Sequence, residues 1–211
     1  MAKTKKSFIE RIKPTGAKDL IRKIILLVCI CVFCYSAYNL ASIFFEYKSM
    51  DDSNKEVEET YVTENTEQKN SYKTIDFEAL LARNSDVKGW IDIPDTKVSY
   101  PIVQGETNDT YIHSDIDKKE FRAGSIFIAS ENKNPFTDLN TVIYGHNMKN
   151  GSMFNNIKSY TEQDFADKHP YVYIYLPDGT VSRYKVVAAH IIPEESLLYN
   201  TGITDIQAFY Q

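Results

Sequence analysis

One histidine in this sequence stands where proton chemistry could be done. His146 follows Thr141-Val142-Ile143-Tyr144, a short apolar and β-branched run closed by Gly145, and Asn147-Met148 and Gly151-Ser152-Met153-Phe154 come directly after it. A run of that kind ending at a glycine reads as a strand arriving at the rim of a sheet, which lets the imidazole reach a neighbouring strand. Imidazole ionises near neutrality, so it suits proton transfer. Taken on spacing alone, an isolated histidine after a strand is more often a hydrogen-bonded structural residue than a catalyst. His113, His169 and His190 make no local ligand pair with it of the His-Glu-x-x-His kind, so no metal and no cofactor is expected. Glu194 and Glu195 read as a solvated loop rather than a cation site.

The elements that must position His146 are short β-rich runs separated by turn residues: Gly89 to Ile93, Val98 to Val103, Ser125 to Ala129, Thr141 to Tyr144, Val172 to Leu176 and Thr180 to Ile192. This spacing predicts a mainly β domain. Pro177-Asp178-Gly179-Thr180 predicts a tight turn that joins the last two runs into a hairpin. Asp76 to Arg83, apolar at 77, 80 and 81 with an acid at its start, predicts a short amphipathic helix that opens the domain. A helical turn or two is expected over Ser152 to Tyr160, and the start of another helix over Ile203 to Tyr210.

Before the domain the chain changes character twice. Residues 1–23 carry eight Lys or Arg against Glu10 and Asp19, although the whole 211-residue chain has a formal charge of −5. From Ile24 to Phe45 no side chain is charged, and 22 helical residues reach about 33 Å, enough to cross a bilayer core. The expectation is a basic cytoplasmic tail (1–23), an uncleaved membrane anchor (24–45), a flexible acidic stalk (46–73) and an outward-facing domain (74–211). The apolar core of a cleaved signal peptide is usually shorter. The acidic remainder of the chain argues against nucleic acid as a partner. Cys29, Cys31 and Cys34 all lie in the apolar segment, so no disulfide framework is expected in the domain.

Three separated stretches, Gly89 to Thr96 continuing through Tyr100 to Gln104, Gly124 to Ile128, and Tyr144 to Met148 with Gly151 to Phe154, stand in an order that resembles the sortases. The last is similar to class B, the cysteine transpeptidases of Gram-positive bacteria that attach secreted proteins to the cell wall. The resemblance runs from about Ile75 to Pro193. It implies an eight-stranded β-barrel with short helices, of which about six strands are present here, and His146 as a catalytic residue. It further implies that Asn108, Ile112 and Tyr144 bind substrate. The implied partners are the sorting-signal peptide of a secreted surface protein and the amine of a peptidoglycan precursor. The resemblance also calls for a cysteine on a late strand and an arginine on the next. Neither occurs up to Gln211, and Arg122 and Arg183 read as surface charges. The chain as given is therefore expected to be an inactive sortase or, alternatively, a non-catalytic sortase-like binding protein.

Overall fold

The computed structural model describes residues 16–63, 72–193 and 196–203, which form two compact units, Met1–Ser49 and Met50–Gln211. A single 45-residue helix, α1 (Ala17–Tyr61), supplies all of the described part of the first unit beyond Gly16. Its apolar residues, among them Leu26, Leu27, Val32 and Phe33, are exposed in the chain itself. The helix is long and apolar enough to cross a membrane.

In the second unit the six β runs all form, as β3 (Val87–Asp92), β4 (Ser99–Val103), β5 (Ile126–Ile128), β6 (Ile143–Tyr144), β7 (Tyr171–Tyr175) and β8 (Val181–Lys185). They join one sheet in the order β6-β5-β4-β3-β7-β8, in which only β4 and β5 run parallel. The last strand stops at Lys185, earlier than Ile192. The β7–β8 turn is the expected one: Gly179 sits at φ 85° and donates its N–H to Leu176 O, while Asp178 Oδ1 accepts from Thr180 N. Among the described residues β6 and β8 are the free edges of the sheet.

The helices pack where their apolar residues predict. In α2 (Phe77–Arg83), Asp76 caps the first turn by accepting from Ala79 N at 2.9 Å, and Leu80 is fully buried. A four-residue helix, α3 (Asp109–Ile112), lies within the crossover between the parallel strands. A 3-10 helix (Phe154–Thr161) and α4 (Gln163–Lys168) precede β7. Trp90, Tyr111, Leu80, Val103 and Phe127 form the core, and the indole N–H of Trp90 donates to Ser99 Oγ.

One boundary moves. Residues 46–61 were expected to belong to a flexible stalk, yet they are the last turns of α1, with Met50 and Val57 buried and Val57 part of the core cluster. The acidic composition hid an amphipathic face: Asp51, Asp52, Lys55 and Glu59 stay in solvent while Val57 turns inward. A two-stranded ribbon, β1 (Val62–Thr63) with β2 (Thr74–Ile75), continues this attachment. Lys73 closes it by donating from Nζ to Asp92 at 2.7 Å and to Glu58 and Ser99 at 3.1 Å. The compact unit thus begins at Met50 rather than at residue 74. The basic tail up to residue 15, the acids Glu194 and Glu195, and all but the first residue of the helix expected over 203–210 lie outside the described residues.

Candidate active site

His146 stands two residues beyond the end of β6. Gly145 makes this exit possible, because a Cβ there would sit 2.4 Å from Ile126 Cδ1 and 2.7 Å from the Phe154 ring. The loop that follows folds straight back. Asn147 bridges to Met153, and His146 O accepts from Phe154 N at 2.9 Å. Met153 is buried with φ 55°, and its N–H donates to the hydroxyl of Tyr100 at 3.0 Å. This explains why the two halves of the motif occur together: Gly151 to Phe154 fix the backbone on which His146 is mounted.

The imidazole is held by α3. His146 Nε2 lies 2.8 Å from Ile112 O. A carbonyl oxygen can only accept, so Nε2 carries a proton, and among the described residues no hydrogen-bond partner reaches Nδ1. The His113 ring lies alongside, 5.5 Å away between centroids and tilted by 17°.

The other residues expected in the site gather around α3 and β6. Asn108 is the N-cap residue of α3, but its side chain makes no cap. Instead its Oδ1 accepts from Ser130 N at 2.9 Å and its Nδ2 donates to the Glu131 carboxylate at 3.1 Å, which ties α3 to the end of β5. Ile112 keeps an exposed side chain while its backbone oxygen engages His146. Tyr144 packs between the core ring of Phe127, 5.3 Å away, and Tyr199, stacked at 6.2 Å. Burial, with Glu131 nearby, pushes the Tyr144 hydroxyl above its ordinary pKa, so it stays a neutral donor at working pH.

Two residues of this neighbourhood were not legible in the sequence. Tyr199 arrives from a 3-10 turn (Leu197–Tyr199) that Asn140 ties down by donating to Leu198 O and Asn200 O. Nothing in its local pattern marks it. Glu131 carries no local signal, and only the fold brings it to Asn108. By contrast His169 is structural, with Nδ1 3.0 Å from Pro94 O and its ring against Phe165. Arg183 lies over the ring of Tyr171 at 4.5 Å.

A cavity borders the turn that carries His146, lined by Ile91, Ile93, Gly145, Asn147, Phe154 and Val172 among others. Lys158, Glu162 and His190 add polar groups to an otherwise mainly apolar lining.

A family model described as the sortase domain matches residues 91–206. Sortase B of Listeria monocytogenes is 37% identical over 157 residues, covering 72% of this chain and 63% of that protein. The crystal structure of Staphylococcus aureus sortase B superposes with a TM-score of 0.60 at 29% identity, over 64% of this chain and 63% of that one. Sortase B from Bacillus anthracis gives 0.53 at 32% identity, over 62% of each chain. The chain thus spans a little under two thirds of the length of these relatives.

Proposed function

This chain belongs to the sortase family, class B, and from that premise we propose that it serves a cysteine transpeptidation in which His146 moves the proton. The observation that carries the reading is the mounting of His146. Its backbone is pinned by Phe154, its Nε2–H is committed to Ile112 O, and its Nδ1 has no hydrogen-bond partner among the described residues. In the reaction, a thiolate attacks the carbonyl carbon of the threonine in a C-terminal sorting signal. The imidazolium then gives its proton to the departing amine, leaving a thioester. The amine of a cell-wall precursor attacks that thioester, its displaced proton passes to the imidazole, and the thiolate is released, which restores the starting pair.

The sorting peptide lies over Tyr144, with Ile112 as an apolar wall and Asn108 at the border of the subsite, where Ser130 and Glu131 already orient its amide. The helix α1 anchors the protein in the cell membrane, with residues 1–23 in the cytoplasm and the β domain outside. Nothing in this reading uses nucleic acid or a metal ion.

A second reading is a sortase-like protein that holds sorting peptides without cleaving them. The chain's three cysteines, Cys29, Cys31 and Cys34, all lie in α1, and Met50–Gln211 contains none. The two readings separate in one experiment: intact mass of the protein made by the native cell, with sequencing past the codon for Gln211, followed by cleavage of an Asn-Pro-x-Thr peptide by that protein. Thiol-dependent cleavage that His146→Ala reduces at least about 100-fold supports the enzyme, on the scale of lost acid–base catalysis. Peptide binding with no cleavage, and no cysteine in the domain, supports the binding protein and sinks the enzyme.

A further inference from the structure

We infer that His113 is a positioning residue for His146, acting through the face of its ring; the inference rests on the reading of His146 as the proton carrier. Two neighbouring residues at the end of α3 hold the imidazole in complementary ways. Ile112 O accepts from Nε2 at 2.8 Å, which fixes one edge of the ring but leaves it free to swing about that bond. The His113 ring, nearly parallel at 17° and 5.5 Å between centroids, removes the swing. One contact sets which nitrogen carries the proton, and the other sets where the second nitrogen points.

The end of α3 is itself rigid, which makes it a suitable mount. Tyr111 is fully buried, and its hydroxyl donates to Asp86 at 2.8 Å and accepts from Asn84 Nδ2 at 2.7 Å. Tyr111 O accepts from Ser125 N at 3.0 Å, and His113 O accepts from Phe121 N at 2.8 Å. Both carbonyls flanking Ile112 O are therefore taken, and Ile112 O alone is turned to the histidine. Gly124, at φ 58°, brings its Cα close under that oxygen: a Cβ there would lie 2.4 Å from it. His113, in contrast, is exposed, and its ring stacks on that of His146.

The test is nitrogen-detected imidazole NMR on the full detergent-solubilised chain, in the wild type, His113→Ala and His113→Phe, with Trp90 fluorescence reporting the fold. The wild type should show His146 as a single Nε2–H tautomer with a slowly exchanging Nε2 proton. In His113→Ala that proton should exchange about fivefold faster, the scale of one aromatic pair, and the ring signals should broaden. His113→Phe, which keeps a flat ring, should restore both. The inference is overturned by wild-type signals in His113→Ala, by failure of His113→Phe to rescue, or by a wild-type His146 protonated at Nδ1. None of these readouts uses cleavage, so an active His146→Ala enzyme would sink the catalytic reading and leave the positioning result standing.

Discussion

At the scale of single residues, the geometry of His146 depends on a position far from it in sequence. Gly124 occupies left-handed backbone at φ 58° directly against Ile112 O. A side chain there meets both the intrinsic cost of that conformation and a collision with backbone that cannot move aside. Gly124→Ala should cost about 2–3 kcal/mol of stability, read by urea titration of the single tryptophan, buried Trp90. It should also disturb the Nε2–H tautomer of His146, because the displaced carbonyl is its acceptor. An unchanged unfolding midpoint would mean that the Ile112 carbonyl is less constrained than its neighbours imply. The sequence singled out His146, Tyr144, Ile112 and Asn108, and all four lie on α3, β6 or the turn beyond. It could not show that Ile112 contributes through its backbone oxygen, since that role leaves no trace in side-chain type.

At the scale of elements, the end of α1 belongs to the β domain as much as to the anchor. Val57 is buried beside Leu80, Trp90 and Tyr111, and Lys73 joins Glu58 to Asp92 across the same junction. Removing two methyl groups from that core and leaving a small void should cost about 2 kcal/mol in Val57→Ala. The exposed neighbour Lys55→Ala should change stability by no more than about 0.5 kcal/mol. Equal and negligible effects would return residues 46–61 to the flexible stalk suggested by their composition. The error in that expectation has a definite cause. Counting charges over a window averages the two faces of a helix, and one buried apolar residue per two turns, Met50 and then Val57, is enough for docking when a core is waiting for it.

At the scale of the whole molecule, the proposed topology makes an accessibility pattern. Lys149 is exposed on the domain and Lys18 lies at the basic end of α1. In whole cells, a membrane-impermeant maleimide should label a cysteine at Lys149→Cys and spare one at Lys18→Cys until lysis. The native Cys29, Cys31 and Cys34, which the proposed topology places in lipid, should react in neither state. Labelling at residue 18 from outside would invert the proposed orientation. The basic flank motivates the prediction, because positive residues next to a span are held on the cytoplasmic side.

What the sequence determined by itself was local and periodic: six β runs, the Asp178-Gly179 turn, the Asp76-capped helix and the long uncharged helix. Each is set by interactions within a few residues, where side-chain alternation, capping and turn chemistry act directly. The family likewise was legible, because its motifs are the turns and strand ends that mount His146. What only the tertiary structure decided was non-local. It paired β4 with β5 in parallel, drew the last turns of α1 onto the core, laid Tyr199 on Tyr144, and aimed one carbonyl and one ring of α3 at the histidine. These contacts join residues tens of positions apart through burial and backbone hydrogen bonds, and neither leaves a periodic mark along the chain.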